Sequence, residues 1–91
     1  MKRRTVVESD LFRAHAKQLE PNTKRLDEMI EAAVWEISRA AESFPEVEGT
    51  ALRSIVTRAP YCPTIIVFFT IDNDDECTLC TVRVADRSKE E

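Results

Sequence analysis

Glycine is almost missing from this chain: Gly49 is the only one in 91 residues. A sequence this poor in glycine is neither loop-rich nor low in complexity. No apolar run reaches the roughly 20 residues a membrane-spanning helix needs. None follows the basic start MKRR either, so neither a signal peptide nor a membrane contact is expected, and the expected location is the cytoplasm. Cysteine is scarce and odd in number, at three. Without a secretory signal, that fits a reducing compartment better than a disulfide framework. A basic excess is missing too, since the formal net charge is −4. Residues 1–71 balance ten basic against ten acidic side chains, and the deficit sits in the turn Asp72, Asp74, Asp75 and Glu76. The acidity is therefore local, and no overall field pulls the chain onto nucleic acid.

What is present is organised around Pro63–Asp72, PTIIVFFTID. Ile65, Ile66, Val67, Phe68, Phe69 and Ile71 are β-branched or aromatic and suit a pleated surface. Both alternation classes are apolar, so the stretch reads as a strand inside a sheet, and at least one of its faces has to be covered. The segments able to cover it lie upstream. Residues 3–8 form a short extended stretch. Ser9-Asp10 supplies an N-cap pair for a helix over residues 10–19, which Pro21 stops. Asn22 caps a longer helix from about Thr23 to Ser43, whose stripe includes Leu26, Met29, Ile30, Ala33, Val34, Ile37 and Phe44. Pro45 ends it.

Beyond Gly49, Thr50–Arg58 reads as a strand with Leu52, Ser54 and Val56 on one face and Arg53, Ile55 and Thr57 on the other. Ala59–Pro63 is a rigid connection holding Tyr61 and Cys62. After the central strand, the acidic turn signals a hairpin into a last strand, Cys77–Ala85. On that strand Leu79, Thr81 and Arg83 share one face, so Arg83 is placed to meet Arg53 across the sheet. The tail DRSKEE is polar. The order β-α-α-β-β-β predicts a single α+β domain over 1–91: an antiparallel meander in two layers, with the helices over one sheet face and the first strand paired elsewhere in the sheet.

Few residues carry chemistry by spacing alone. Cys77 and Cys80 have CxxC spacing, but on a strand they point to opposite faces, and no second pair or nearby histidine completes a metal site. The acidic turn lacks the glycine and distal glutamate of a calcium loop, so neither a metal nor a cofactor is expected. His15 is either a general base or, more often for a histidine without an evident partner, structural or solvent-facing. Trp35 lies off the main stripe, as a partner-binding anchor or as the stripe's edge. Tyr61 is the other candidate partner-binding aromatic.

Read in order, these residues resemble the RelE/ParE-like toxins of type II toxin–antitoxin systems. The resemblance covers nearly the whole chain. It rests on the early strand, the break at LEPNTKRLDE, the closure FPEVEGTALRSI and the core strand VFFTID before an acidic turn. It implies a small antitoxin whose C-terminal segment wraps the toxin. It also implies a target, either ribosome-bound mRNA, cut as an endoribonuclease, or DNA gyrase. In the ribonuclease branch basic side chains on the sheet hold the scissile phosphate, because charge gathers there in the transition state. Arg53, Arg58 and Arg83 match that role as candidate catalytic residues; the alternative is three surface arginines covering a sheet face with their stems. The family's core-strand arginine aligns with Ile66 here, and the tail has no tyrosine or histidine. The rival reading is a catalytically inactive RelE-like module that only binds protein. A weaker third is a homodimer with a ligand cleft between sheet and helices. An unpartnered toxin, with its apolar patch bare, is expected to dimerise or resist staying in solution.

Overall fold

The structure is a computed structural model and describes residues 3–19, 21, 25–58 and 63–85. Among these it is α+β, with two α-helices and a four-stranded mixed sheet. Strand β1 spans Thr5–Glu8, α1 Asp10–Leu19, α2 Leu26–Ala40, β2 Arg53–Thr57, β3 Ile65–Ile71 and β4 Glu76–Val84. A 3-10 turn over Ala41–Ser43 extends α2. The sheet order is β1-β4-β3-β2, which puts the uncharged strand β3 in the interior. The meander β2-β3-β4 is antiparallel, and β1 pairs with β4 in parallel at the far edge.

The helices start and stop where side chains dictate. Ser9 caps α1, its Oγ accepting from the Phe12 backbone N–H at 3.0 Å. That hydroxyl also donates to the Cys80 carbonyl at 3.2 Å, and the Ser9 N–H donates to the Leu79 carbonyl at 3.0 Å. The start of α1 is thereby pinned to β4. In α2 no side chain caps the first turn, but Asp27 and Glu28 lie there and Arg39 in the last turn, each favoured by the helix dipole. Phe44 is extended (φ −91, ψ 144), as the following Pro45 demands. Gly49 takes φ 81, a left-handed conformation that disfavours any residue with a Cβ. The cap expected at Asn22 lies outside the described residues.

Among the described residues only one sheet face is covered. Ile65, Val67 and Phe69 of β3 are fully buried with Cys77 and Leu79 of β4, beneath Phe12 of α1 and Leu26, Met29, Ala33 and Ile37 of α2. Phe44 closes the end of this core, edge-on to Phe69 with ring centroids 6.0 Å apart. Ile66 and Phe68, pointing the other way, are only half-buried.

One expectation fails in a specific way. Phe69 pairs with Leu79, but Phe68 pairs with Thr81, so Cys80 is an extra residue in the ladder. This bulge breaks the strict alternation. Leu79 and Val82 both face the core, and Arg83, opposite Ile66, faces outward. Leu79 and Arg83 therefore lie on opposite faces, contrary to the period-two reading.

Two adjacent phenylalanines provide the check. Phe69→Ala should cost about 3–5 kcal/mol in urea unfolding, the usual loss for a large buried side chain. Phe68→Ala should cost clearly less, and equal losses would contradict the one-sided core.

Candidate functional site

The three arginines expected to form a phosphate-binding cluster do not converge. Arg53 starts β2 on the covered side, opposite Phe69. Its Nη1 donates to the carbonyls of Phe44 at 2.8 Å and Glu42 at 3.4 Å, while Nη2 meets Glu46 at 3.4 Å. The guanidinium thus clamps the segment after α2 onto β2 and satisfies carbonyls left over where the helix ends. Arg58 follows the other end of β2, roughly 16 Å along the strand from Arg53. There it is exposed beside a hollow that Met29, Ala32 and Thr57 also line. Arg83 is on the bare face, its guanidinium carbon 5.5 Å from the centroid of the Phe68 ring. The bulge at Cys80 and the placement of Arg53 on the covered side together prevent Arg53 and Arg83 from meeting.

The uncovered face is where the structure leaves surface in need of a use. Its centre is Ile66, Phe68 and Arg83, and Val56 on the neighbouring strand is 47 % exposed. Val7, on β1 at the other edge, is 42 % exposed. Between them lies a polar band: the Asp72 carboxylate accepts from the hydroxyls of both Thr70 and Thr78, a pair facing each other across β3 and β4. Asp72 is therefore committed to closing the hairpin. Among the described residues no group of three or more His, Cys, Asp or Glu side chains is arranged to hold a metal ion.

A second surface lies on the helical side. An open groove of about 420 Å³ runs between α1 and α2. Phe12, Ala16, Ile30 and Val34 make its apolar floor, Arg13 and Lys17 the α1 rim, and Asp27 and Glu31 the α2 rim. Arg13 also meets Glu8 at 3.5 Å and Asp10 at 3.4 Å, exposed pairs worth little to stability. Nothing in the sequence marks this groove beyond the helical stripes, because its width depends on how far apart the two helices pack.

The remaining candidates divide between structural roles, one exposed aromatic and one position outside the described residues. His15 is half-buried, and its Nδ1 hydrogen-bonds to Thr81 Oγ1 across the α1–β4 contact, which is the structural reading. Cys77 is buried under the helices, while the Cys80 sulfur lies near the Thr70 hydroxyl on the bare side, so the pair is split as its spacing requires. Burial pushes the Cys77 thiol above its ordinary pKa, with Arg4 pulling the other way. Trp35 is 46 % exposed. Tyr61 lies outside the described residues. No protein-family model matches the chain, and no curated protein matches it either. No helix among the described residues is long and apolar enough to cross a membrane.

Two measurements test these assignments. Arg53→Ala should destabilise the fold by about 1–2 kcal/mol, since a charged donor to carbonyls is lost, whereas Arg83→Ala should stay within about 0.5 kcal/mol. The raised Cys77 pKa has a pH signature. The folded state holds that proton more tightly, so its contribution to stability is complete below the ordinary thiol pKa and falls away as pH rises through it. Wild type should lose stability above about pH 9 more steeply than Cys77→Ala, measured as urea midpoints against pH.

Proposed function

We propose that this chain is a RelE/ParE-like partner in a toxin–antitoxin pair and works by binding protein, not by cutting RNA. The observation that carries the reading is the commitment of Arg53 to backbone carbonyls, which leaves Arg83 as the cation at the centre of the bare sheet face. A phosphodiester-cleaving site needs several cations converging on one group. Exposed apolar side chains around one arginine over a ring, crossed by a neutralised Thr–Asp band, are instead the composition of a protein interface.

The element order β-α-α-β-β-β and the one-sided helical cover support the RelE/ParE-like resemblance. The groove between α1 and α2 suits an amphipathic antitoxin segment, its apolar stripe on Ile30 and Val34 and its flanks matched to a basic rim and an acidic rim. In a toxic chain the target that fits this surface is a protein such as gyrase. In a non-toxic one the chain is the binding module alone. The ribonuclease reading has one observation in its favour, the stacking of Arg83 over Phe68, which sets a cation beside a ring on which a base could stack.

Induction in a bacterial host separates these readings. The protein-binding reading expects no new ribosome-linked mRNA ends, with or without growth arrest, and co-purification of a small protein encoded beside the chain. Lys17→Glu should weaken that co-purification about tenfold while leaving the fold intact. Growth arrest with codon-positioned mRNA cleavage, abolished by Arg83→Ala, would overturn the proposal in favour of the ribonuclease.

A further inference from the structure

One end of the molecule carries two surfaces of opposite character side by side. The first is Trp35, with the Arg3 guanidinium 4.6 Å and the Arg39 guanidinium 5.4 Å from its ring centroid. Arg39 has only a loose carboxylate, Glu36 at 3.8 Å, and Arg3 has no ion pair among the described residues. An exposed tryptophan held between two such cations is the side-chain set that dominates binding energy at protein interfaces. Acidic side chains are what it would recognise.

The second surface is the β3–β4 turn, where Asp72, Asp74, Asp75 and Glu76 are all exposed. The start of β1 joins the two surfaces. The Arg4 N–H donates to the Ser38 carbonyl of α2 at 2.9 Å, and its Nε donates to the Asn73 carbonyl of the turn at 3.1 Å. The Thr5 N–H reaches the Asp75 carbonyl at 2.7 Å, and Arg4 also pairs with Glu42. Basic-aromatic patch and acidic turn are thus held in fixed relation by backbone and a largely buried arginine, whose side chain is 13 % exposed.

We infer that this end is a self-complementary docking surface for a second copy of the chain, each copy's acidic turn seated on the other's Arg3–Trp35–Arg39 patch. A two-fold axis satisfies both contacts at once, as an isologous dimer requires. The area is small, since Trp35 is 46 % exposed and each copy has only about half of the roughly 150–250 Å² of a tryptophan left to bury beside its arginines, less than a standard interface. The dimer is accordingly weak and salt-sensitive, because exposed ion pairs are screened within about 10 Å at 0.1 M salt. No residue of this surface lines the α1–α2 groove, and it meets the bare sheet face only at Asp72, so the dimer stands whether or not the toxin–antitoxin reading does.

Sedimentation equilibrium on the full chain tests it. Wild type should dimerise at low salt with a dissociation constant in the micromolar range, weakened about tenfold or more in 1 M NaCl. Trp35→Ala should be monomeric. Arg39→Glu alone and Asp74→Arg alone should each weaken the dimer about tenfold, since the first cancels the net charge of the patch and the second halves that of the turn. Mixed together they should associate more tightly than either alone, because one of the two contacts is then unaltered and the other brings the two introduced charges, of opposite sign, together; circular dichroism confirms that both variants fold. A wild-type monomer at millimolar concentration would overturn the inference. So would a dimer indifferent to Trp35→Ala and to salt, or a mixture that associates no more tightly than either variant alone while both are folded.

Discussion

The structure depends on an asymmetry of cover: strand β3 is apolar on both faces, and both helices lie on the same one. Packing Ile65, Val67 and Phe69 under α1 and α2 builds the core and uses the apolar stripes of both helices. Ile66 and Phe68 are left on a face that no described element fills. A sheet interior strand with this composition is normally covered twice. The chain thus carries a surface whose chemistry is that of a core and whose position is that of an interface. The proposal of a protein partner rests on that mismatch.

Charge is distributed to fit the same picture. Arg53, at the start of β2, is turned inward to collect carbonyls of the segment that follows α2, and Arg4 does comparable work between that segment and the β3–β4 turn. Cations engaged in this way are poor catalysts, because their hydrogen bonds are already made. The arginines left outward are dispersed, with Arg83 on the bare face, Arg58 past the end of β2, and Arg3 and Arg39 around Trp35. Arg83, Arg58 and the Arg3–Arg39 pair stand in separate settings, and among the described residues they form no concentrated basic field.

Much of the fold was legible from residue order. Ser9-Asp10 as the start of α1, the stripe of α2, Pro45 as a stop, the meander and the interior position of β3 all follow from local chemistry that the structure repeats. The division of β2 into two faces was legible too, but not which of them turns inward: Ile55 is buried, and Arg53 shares its covered face. Two features were not. The bulge at Cys80 leaves no mark in the sequence, because the residue fits either register; it is held by contacts to Ser9, some seventy positions upstream. One inserted residue then reverses the side on which Arg83 emerges. The role of Arg53 was hidden for a different reason: its acceptors are backbone carbonyls, and those have no sequence signature. The candidate site was therefore readable as a set of residues but not as a constellation.

Hydroxyl-radical footprinting of the isolated protein under monomeric conditions tests the one-sided cover most directly. Val56, Ile66 and Phe68 should be oxidised readily, while Ile55, Val67 and Phe69, their neighbours in sequence, stay protected until the chain unfolds. Equal protection of both sets would mean that something else in the chain covers the second face, and the case for a protein-binding surface there would fail.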